Sequence, residues 1–313
     1  MSNKCLVLGG NGFIGKAIVN KLIYEGFAVT ILDCQEDRSS GNNKVVSIVG
    51  DIRDEAILDS AIHGQDVIIH LISTTTPQRS MEEPFQPFNI DVIQTIKLME
   101  KACKSGVRRV IFASSGGTVY GIPKQSPIRE DQDSSPINYY GIMKLTIEKI
   151  LKMYNASHSM ENIILRISNP YGIGQDPRSN VGAINVFLNR VLSGEVLNIF
   201  GDGSVERDYI YIDDVADAFY RSVIYNGIED TFNIGSGQGT SIKEIISIIE
   251  SILKKPIAVE YLPKRTFDVP SNILDITKAE QHLGFFPSIQ LAEGIKHCFD
   301  SLSDKVIQAN KSY

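Results

Sequence analysis

Gly9-Gly10-Asn11-Gly12-Phe13-Ile14-Gly15 stands between an apolar run, Cys5-Leu8, and a segment, Phe13-Glu25, that places Phe13, Ile14, Ala17, Ile18 and Leu22 on one helical face. Gly26 closes that segment in the manner of a C′ residue. Glycines at 9, 12 and 15 permit a tight strand-to-helix turn, close approach of backbone to a phosphate, and close packing of helix on strand. The helix start then offers unpaired N–H groups and a positive dipole end to an anion. A glycine triplet alone also describes a flexible surface turn. Here it opens a β–α–β unit, and Asp33 ends the next apolar run, Ala28-Leu32, 18 residues beyond Gly15. A carboxylate there accepts hydrogen bonds from the adenosine ribose and repels a 2′-phosphate, which selects NAD over NADP. The turn predicts a dinucleotide site built on Gly9, Gly12, Phe13, Ile14, Gly15 and Asp33.

The same alternation continues outward. Val45-Val49, Val67-Leu71, Val110-Ala113 and Ile163-Ile167 read as strands, and Phe88-Lys104 and Tyr140-Tyr154 as long helices. Continuous apolar strands buried on both faces predict an α/β fold with a doubly wound parallel sheet of Rossmann type. After Pro170 the segments shorten and grow richer in Gly, Asn, Pro and Asp, with helices at Gly182-Ser193, Val215-Tyr225, Ser241-Leu253 and Thr277-Leu283. This organisation predicts a dinucleotide-binding domain over 1–170 and a smaller α/β substrate lobe over 171–313, with 209–235 returning to the first domain. The polar stretch Gln35-Lys44 reads as an exposed loop.

Composition removes several function classes. The 313 residues are 42% hydrophobic and 22% charged, enough for a core and an ordinary charged surface. A net charge of −6 leaves no basic field for nucleic acid. Cys5, Cys34, Cys103 and Cys298 show no CxxC or CxxH spacing, so neither a metal site nor a disulfide framework is expected. No apolar run approaches the roughly 18 residues of a membrane span, and Cys5-Leu8 is too short for a signal peptide. A soluble, cytoplasmic protein is expected.

Tyr140 and Lys144 stand at i and i+4, on one helix face. Such a pair is common by chance, but its context is not. Val110-Ala113 runs straight into Ser114-Ser115-Gly116-Gly117-Thr118-Val119-Tyr120-Gly121, a hydroxyl-rich loop at the carboxyl end of a strand, where doubly wound sheets bind ligands. An ammonium or a positive nicotinamide ring near a phenol favours phenolate, which can take a hydroxyl proton while hydride leaves the same carbon.

Together with Gly50-Asp51-Ile52-Arg53-Asp54, Leu165-Arg166, Asn169-Pro170-Tyr171-Gly172, Arg207-Asp208-Tyr209, Phe232-Asn233-Ile234-Gly235-Ser236-Gly237 and Arg265xxAsp268, these motifs run in order over residues 4–287. As a set the chain resembles the extended short-chain dehydrogenase/reductase family, specifically its nucleotide-sugar epimerases and dehydratases. The resemblance implies a bound NAD with Asp51 and Ile52 flanking the adenine and His70-Leu71 beneath the cofactor. It implies Tyr140 as acid/base and Lys144 on the nicotinamide ribose. Asn169 and Arg207 should meet the diphosphate of a nucleotide sugar, and Arg265 and Asp268 its nucleoside. Asn272 falls where resembling epimerases keep a gatekeeper beside the sugar's C2 substituent. A homodimer through the two long helices is likewise implied.

The chain departs from the pattern at Gly116, where the best-known sugar epimerases carry the serine or threonine that bonds the reacting hydroxyl. That role must pass to Ser115, Thr118 or a water. The acid pair of the dehydratases is absent, since Gly117 and Thr118 stand in its place. The expected activity is therefore epimerisation of a nucleotide-activated hexose at C4 through a 4-keto sugar. A 4-keto nucleotide-sugar reductase and a non-catalytic dinucleotide-sensing module remain open.

Overall fold

The computed structural model describes residues 4–36, 45–176, 182–264 and 269–311. Most of the polar stretch after Gln35, and both Arg265 and Asp268, lie outside the described residues. The chain begins with β1 (Lys4–Leu8), α1 (Phe13–Tyr24), β2 (Ala28–Asp33), β3 (Val45–Val49), α2 (Glu55–Ile62) and β4 (Val67–His70). α3 (Pro77–Glu82) follows, then a π-helical turn (Phe88–Val92) that runs into α4 (Ile93–Lys104). β5 (Arg109–Ser115), α5 (Tyr139–His158), β6 (Ile163–Ile167) and β7 (Asn169–Tyr171) come next, then α6 (Ala183–Leu192), β8 (Leu197–Phe200) and β9 (Glu206–Tyr211). The remainder holds α7 (Ile212–Ile224), β10 (Thr231–Ile234), β11 (Gly239–Ser241) and α8 (Ile242–Leu253). It ends with β12 (Val259–Leu262), β13 (Ser271–Asn272), α9 (Thr277–Leu283) and α10 (Leu291–Lys311).

Seven strands form one parallel sheet in the order β10-β6-β5-β4-β1-β2-β3. Every residue of β4 and β6 is buried, as expected of central strands covered by helices on both faces. The strand order reverses between β1 and β4, so the crevice beyond their carboxyl ends is the ligand-binding place of such a sheet. β10 pairs with β6, Thr231 opposite Ile164, so the chain re-enters the large sheet late in its course. Arg109, at 1% exposure, ties the lower end of this sheet to the end of α7. Its guanidinium donates to the Glu161, Ser222 and Tyr225 carbonyls at 2.7–2.8 Å.

A smaller sheet is centred on β9, with β7 and β13 parallel to it and β11 antiparallel. Asp208 of β9 is fully buried. Its carboxylate accepts from Ser236 N (2.7 Å), Ser236 Oγ (2.8 Å), Gly237 N (3.2 Å) and Leu274 N (3.3 Å). Burial raises its pKa, and those donors oppose the rise. A Cβ on Gly235 would lie 2.3 Å from Asp208 Oδ2, so only glycine lets the β10 end approach. This knot holds β13 against β9 and thereby sets the places of Arg207 and Asn272.

The helix expected over Phe88–Lys104 differs at its start. The π turn inserts one extra residue, which turns Asp91 and Val92 inward, to 3% and 9% exposure. Among the described residues, no helix is long and apolar enough to cross a membrane.

Candidate active site

The glycine turn has the geometry of an anion cradle. Gly9 has φ +82°, which favours glycine, and Gly12 ends the turn at the α1 N-cap with no side-chain hydrogen bond. The first N–H groups of α1 are thus left without a side-chain cap. A Cβ on Gly15 would stand 2.2 Å from the Gly9 carbonyl oxygen, so the helix and turn touch backbone to backbone. Phe13 and Ile14 are partly buried against the core, which fixes the first turn of α1. Asp33 is held from both sides, Oδ2 accepting from Asn11 N and Oδ1 from Gln35 N, each at 3.0 Å. Each oxygen keeps a second lone pair for a ligand.

A cavity of about 340 Å³ opens here, lined by Gly9, Asp33, Asp51, Ile52, Ile72 and Gln86 among others. Asp51 is engaged by Arg53 at 2.6 Å, and that hydrogen-bonded pair holds its carboxyl below the usual range. Ile52 is core, and Asp54 caps α2 through Ala56 N and Ile57 N. Leu71 continues from β4, its N–H bonded to Leu8 O and its side chain partly buried. A cradle too tight for a Cβ, an uncapped helix start and an anchored carboxylate fit a dinucleotide.

At the next strand end stand Tyr140 and Lys144, both on α5. Asn138 caps this helix by accepting from Gly141 N at 2.8 Å, and Ser80 Oγ of α3 accepts from Tyr140 N at 3.1 Å. The hydroxyl-rich loop presses on the same turn, since a Cβ on Gly141 would lie 2.7 Å from Thr118 O. Lys144 Nζ donates to Ala113 O at 2.9 Å and sits 4.7 Å from the Phe112 ring centroid and 5.4 Å from that of Tyr140. Burial pushes the Lys144 ammonium down to about 8, with Asp91 and Glu148 opposing. The expected phenolate is not favoured by the protein alone. Burial and the charge of Asp91 push the Tyr140 phenol up to about 12, against a hydrogen bond from Ser73.

Gly116 has a packing reason. A Cβ there would meet Leu274 Cδ1 at 2.6 Å and Arg166 O at 3.1 Å, so a serine would have to displace Leu274. Ser115 is the last residue of β5 and only partly buried. Thr118 Oγ1 is buried with no hydrogen-bond partner among the described residues. It lines a cavity of about 680 Å³ with Gln78, Met81, Asn138, Arg207 and Asn272, among others. The lining stops two residues short of Tyr140. Asn272 is 2% exposed and donates through Nδ2 to Gly116 O at 3.3 Å, while its Oδ1 has no partner among the described residues.

A third cavity, about 370 Å³, lies between Phe187, Phe200, Tyr209 and Asn169. Asn169 Nδ2 donates to Asp208 O at 2.8 Å. Arg207 lines both this cavity and the larger one, and its Nη1 donates to the Glu206 and Val269 carbonyls at 2.7 and 2.8 Å. A guanidinium shared by two adjoining cavities is suited to a bridging anionic group.

Sequence reasoning missed α3 and Asp91. Thr76-Pro77 is an N-cap followed by proline at N1, a readable start for α3. Asp91 carried no such signal, because its inward turn depends on the π geometry.

The fold and these cavities define a doubly wound dinucleotide-binding protein with a tyrosine–lysine pair at its crevice. The NAD dependent epimerase/dehydratase family matches residues 5–235. A UDP-glucose 4-epimerase of Mycolicibacterium smegmatis is 35% identical over 313 residues, covering 96% of this chain and 99% of that protein. A dTDP-4-dehydro-6-deoxyglucose reductase of Escherichia coli is 32% identical over 312 residues, covering 97% and 98%. The structure of a UDP-glucose 4-epimerase from Thermotoga maritima with UDP-glucose matches with a TM-score of 0.91 at 33% identity, over 97% of this chain and 99% of that one. The chain belongs to the NAD-dependent epimerase/dehydratase family.

Proposed function

We propose that the protein is an NAD-dependent 4-epimerase of nucleotide-activated hexoses. The observation that carries the reading is Arg207 shared by two adjoining cavities, one able to take the sugar and one the nucleoside, with a diphosphate between them. NAD, when bound, supplies a hydride acceptor that the reaction regenerates. Gly9, Gly12, Gly15 and Asp33 hold it, with Asp51, Ile52 and Leu71 beside it. Tyr140 takes the proton of the C4 hydroxyl and later returns it, Lys144 orients the cofactor ribose, and Thr118 or Ser115 bonds the hydroxyl. Arg207 and Asn169 bind the diphosphate.

The likeness to a 4-dehydro-sugar reductase supports a second reading, reduction of a 4-keto sugar. Incubation with UDP- and dTDP-hexoses, without added reductant, separates the two. The epimerase interconverts C4 epimers with no net cofactor change, whereas a reductase acts only on the keto sugar and consumes NADH. No turnover in either arm would leave the dinucleotide-sensing module.

NAD should bind more tightly than NADP. Asp33→Ala is expected to weaken NAD by about 1.5–3 kcal/mol, the worth of hydrogen bonds to a charged group. That is roughly ten- to a hundredfold in Kd and narrows the gap to NADP. Equal affinities in the unaltered protein, by calorimetry, would refute the role of Asp33.

Asn272 leaves room beside the sugar and an unpartnered amide oxygen for an acetamido N–H. UDP-N-acetylhexosamines should therefore be accepted alongside plain hexoses. Asn272→Tyr is expected to lower kcat/KM for UDP-N-acetylglucosamine by on the order of tenfold relative to UDP-glucose. An unchanged ratio removes the gatekeeper.

Ile93 and Ile96 of α4 and Ile142 and Met153 of α5 are exposed on neighbouring helices, which supports a homodimer formed through them. The mass in solution tests this. Four unpaired cysteines suit a reducing cytoplasm.

A further inference from the structure

The short helix α3 divides its residues among three faces. Ser80 faces inward: its Oγ donates to Pro77 O at 2.7 Å and accepts from Tyr140 N at 3.1 Å, which fixes the helix to the start of α5. Arg79 turns outward and pairs with Glu83, just past the helix end, at 3.3 Å. Pro77, Gln78, Met81 and Glu82 make up the remaining face, at the i, i+1, i+4 and i+5 spacing of one side of a helix. All four line the cavity of about 680 Å³ that holds Thr118 and Asn272.

Among the described residues of that lining, the charged ones are Arg207 and Glu82. Arg207 is shared with the adjoining cavity, and its bonds to the Glu206 and Val269 carbonyls hold it at that end, where the diphosphate lies in the proposed reaction. Glu82 is exposed and forms no hydrogen bond or ion pair among the described residues, whereas the carboxylate of Glu83 is answered by Arg79. The sugar is thus left with neutral polar neighbours, Thr118, Asn138 and Asn272, and one uncompensated negative charge. A cavity of about 680 Å³ is narrower than two screening lengths of about 8 Å, so a charge at its centre feels Glu82.

We propose that Glu82 sets the charge class of the sugar, admitting neutral hexoses and acetamidohexoses and turning away sugars that bear a carboxylate, the nucleotide-activated uronic acids. The proposal rests on the reading of this cavity as the sugar site. A carboxylate brought opposite another carboxylate is repelled, which is discrimination against the wrong partner rather than for the right one. The diphosphate is anionic too, but every nucleotide sugar carries it. Its repulsion cancels between two sugars on the same nucleotide.

The test measures kcat/KM for UDP-glucose and UDP-glucuronate in the parent, Glu82→Gln and Glu83→Gln. Glu82→Gln keeps the size and polarity of the side chain and removes its charge. The parent should favour UDP-glucose, and Glu82→Gln should raise kcat/KM for UDP-glucuronate by on the order of tenfold. A loosened fold does not produce a gain on one substrate. Glu83→Gln takes the same charge from the same stretch of chain, off the cavity, and should leave the ratio of the two sugars unmoved. Added salt should narrow the parent's preference and change that of Glu82→Gln little. Equal use of both sugars by the parent, or an unmoved ratio in Glu82→Gln, would overturn the proposal. So would a shift in Glu83→Gln as large as that in Glu82→Gln, because the placement of Glu82 would then not matter. Turnover of neither sugar by the parent would instead count against the epimerase reading, and calorimetric Kd values for the two nucleotides in the same variants would still judge Glu82.

Discussion

Tyr140→Phe is expected to lower turnover by about 10²–10⁴-fold, the usual worth of a positioned acid/base, while NAD binding stays nearly unchanged. The substitution removes one oxygen and leaves the ring. What positions the ring does not depend on the hydroxyl: Ser80 Oγ accepts from the backbone N–H of residue 140, and Lys144 is held by Ala113 O. The cation above the ring, 5.4 Å from its centroid, is retained by phenylalanine. Loss of rate without loss of cofactor therefore isolates proton transfer. Single-turnover kinetics with a nucleotide sugar, set beside an NAD titration, makes the comparison. Ordinary activity would mean that another group moves the proton. Thr118→Ala and Ser115→Ala belong in the same series, because Gly116 cannot bond the reacting hydroxyl and Thr118 has an unpartnered buried hydroxyl oxygen on the sugar cavity.

The parts of this site that were legible in the sequence are those whose chemistry is local. A strand, three spaced glycines and a helix specify a turn by backbone sterics alone, and Asp33 follows from the length of the next strand. The parallel sheet follows from runs such as Val67–His70, buried along their whole length. What stayed hidden depends on contacts between distant segments. Gly116 reads as a missing hydroxyl until Leu274, far along the chain, is found above it. Asp208 stands in the sequence as one member of the Arg207-Asp208-Tyr209 motif, yet its carboxylate gathers donors from Ser236, Gly237 and Leu274. Burial and the charge of Asp91, which raise the Tyr140 phenol in the protein without cofactor, are hidden for the same reason. Lys144 was visible at i+4, whereas Asp91, on another helix, was not.

The buried network beneath the active-site loop predicts the largest effect on stability. Glu148, at 1% exposure, accepts from Ser114 Oγ at 2.5 Å and from Arg166 Nε and Nη2 at 3.0 and 2.7 Å. Arg166 Nη1 donates to Tyr120 OH at 2.9 Å, and Tyr120 donates in turn to Asn233 Oδ1 at 2.6 Å. β5, α5, β6, β10 and the hydroxyl-rich loop thus meet at one ion pair. Glu148 holds the Arg166 pKa above its ordinary range against the effect of burial, and a guanidinium keeps its proton in a protein even when its partner is lost. Glu148→Ala leaves that charge in a dry interior with only neutral acceptors. The expected cost is about 3–5 kcal/mol, read from chemical denaturation. Glu148→Leu combined with Arg166→Met removes both charges and should recover much of the loss, because the desolvation of the pair offsets most of its attraction. Tyr120 would still lose its arginine donor, so recovery should be incomplete and the loop bearing Thr118 should loosen. A single variant as stable as the parent would mean that water reaches Arg166, and that the loop is held by the backbone bonds of Gly116 and Val119 instead.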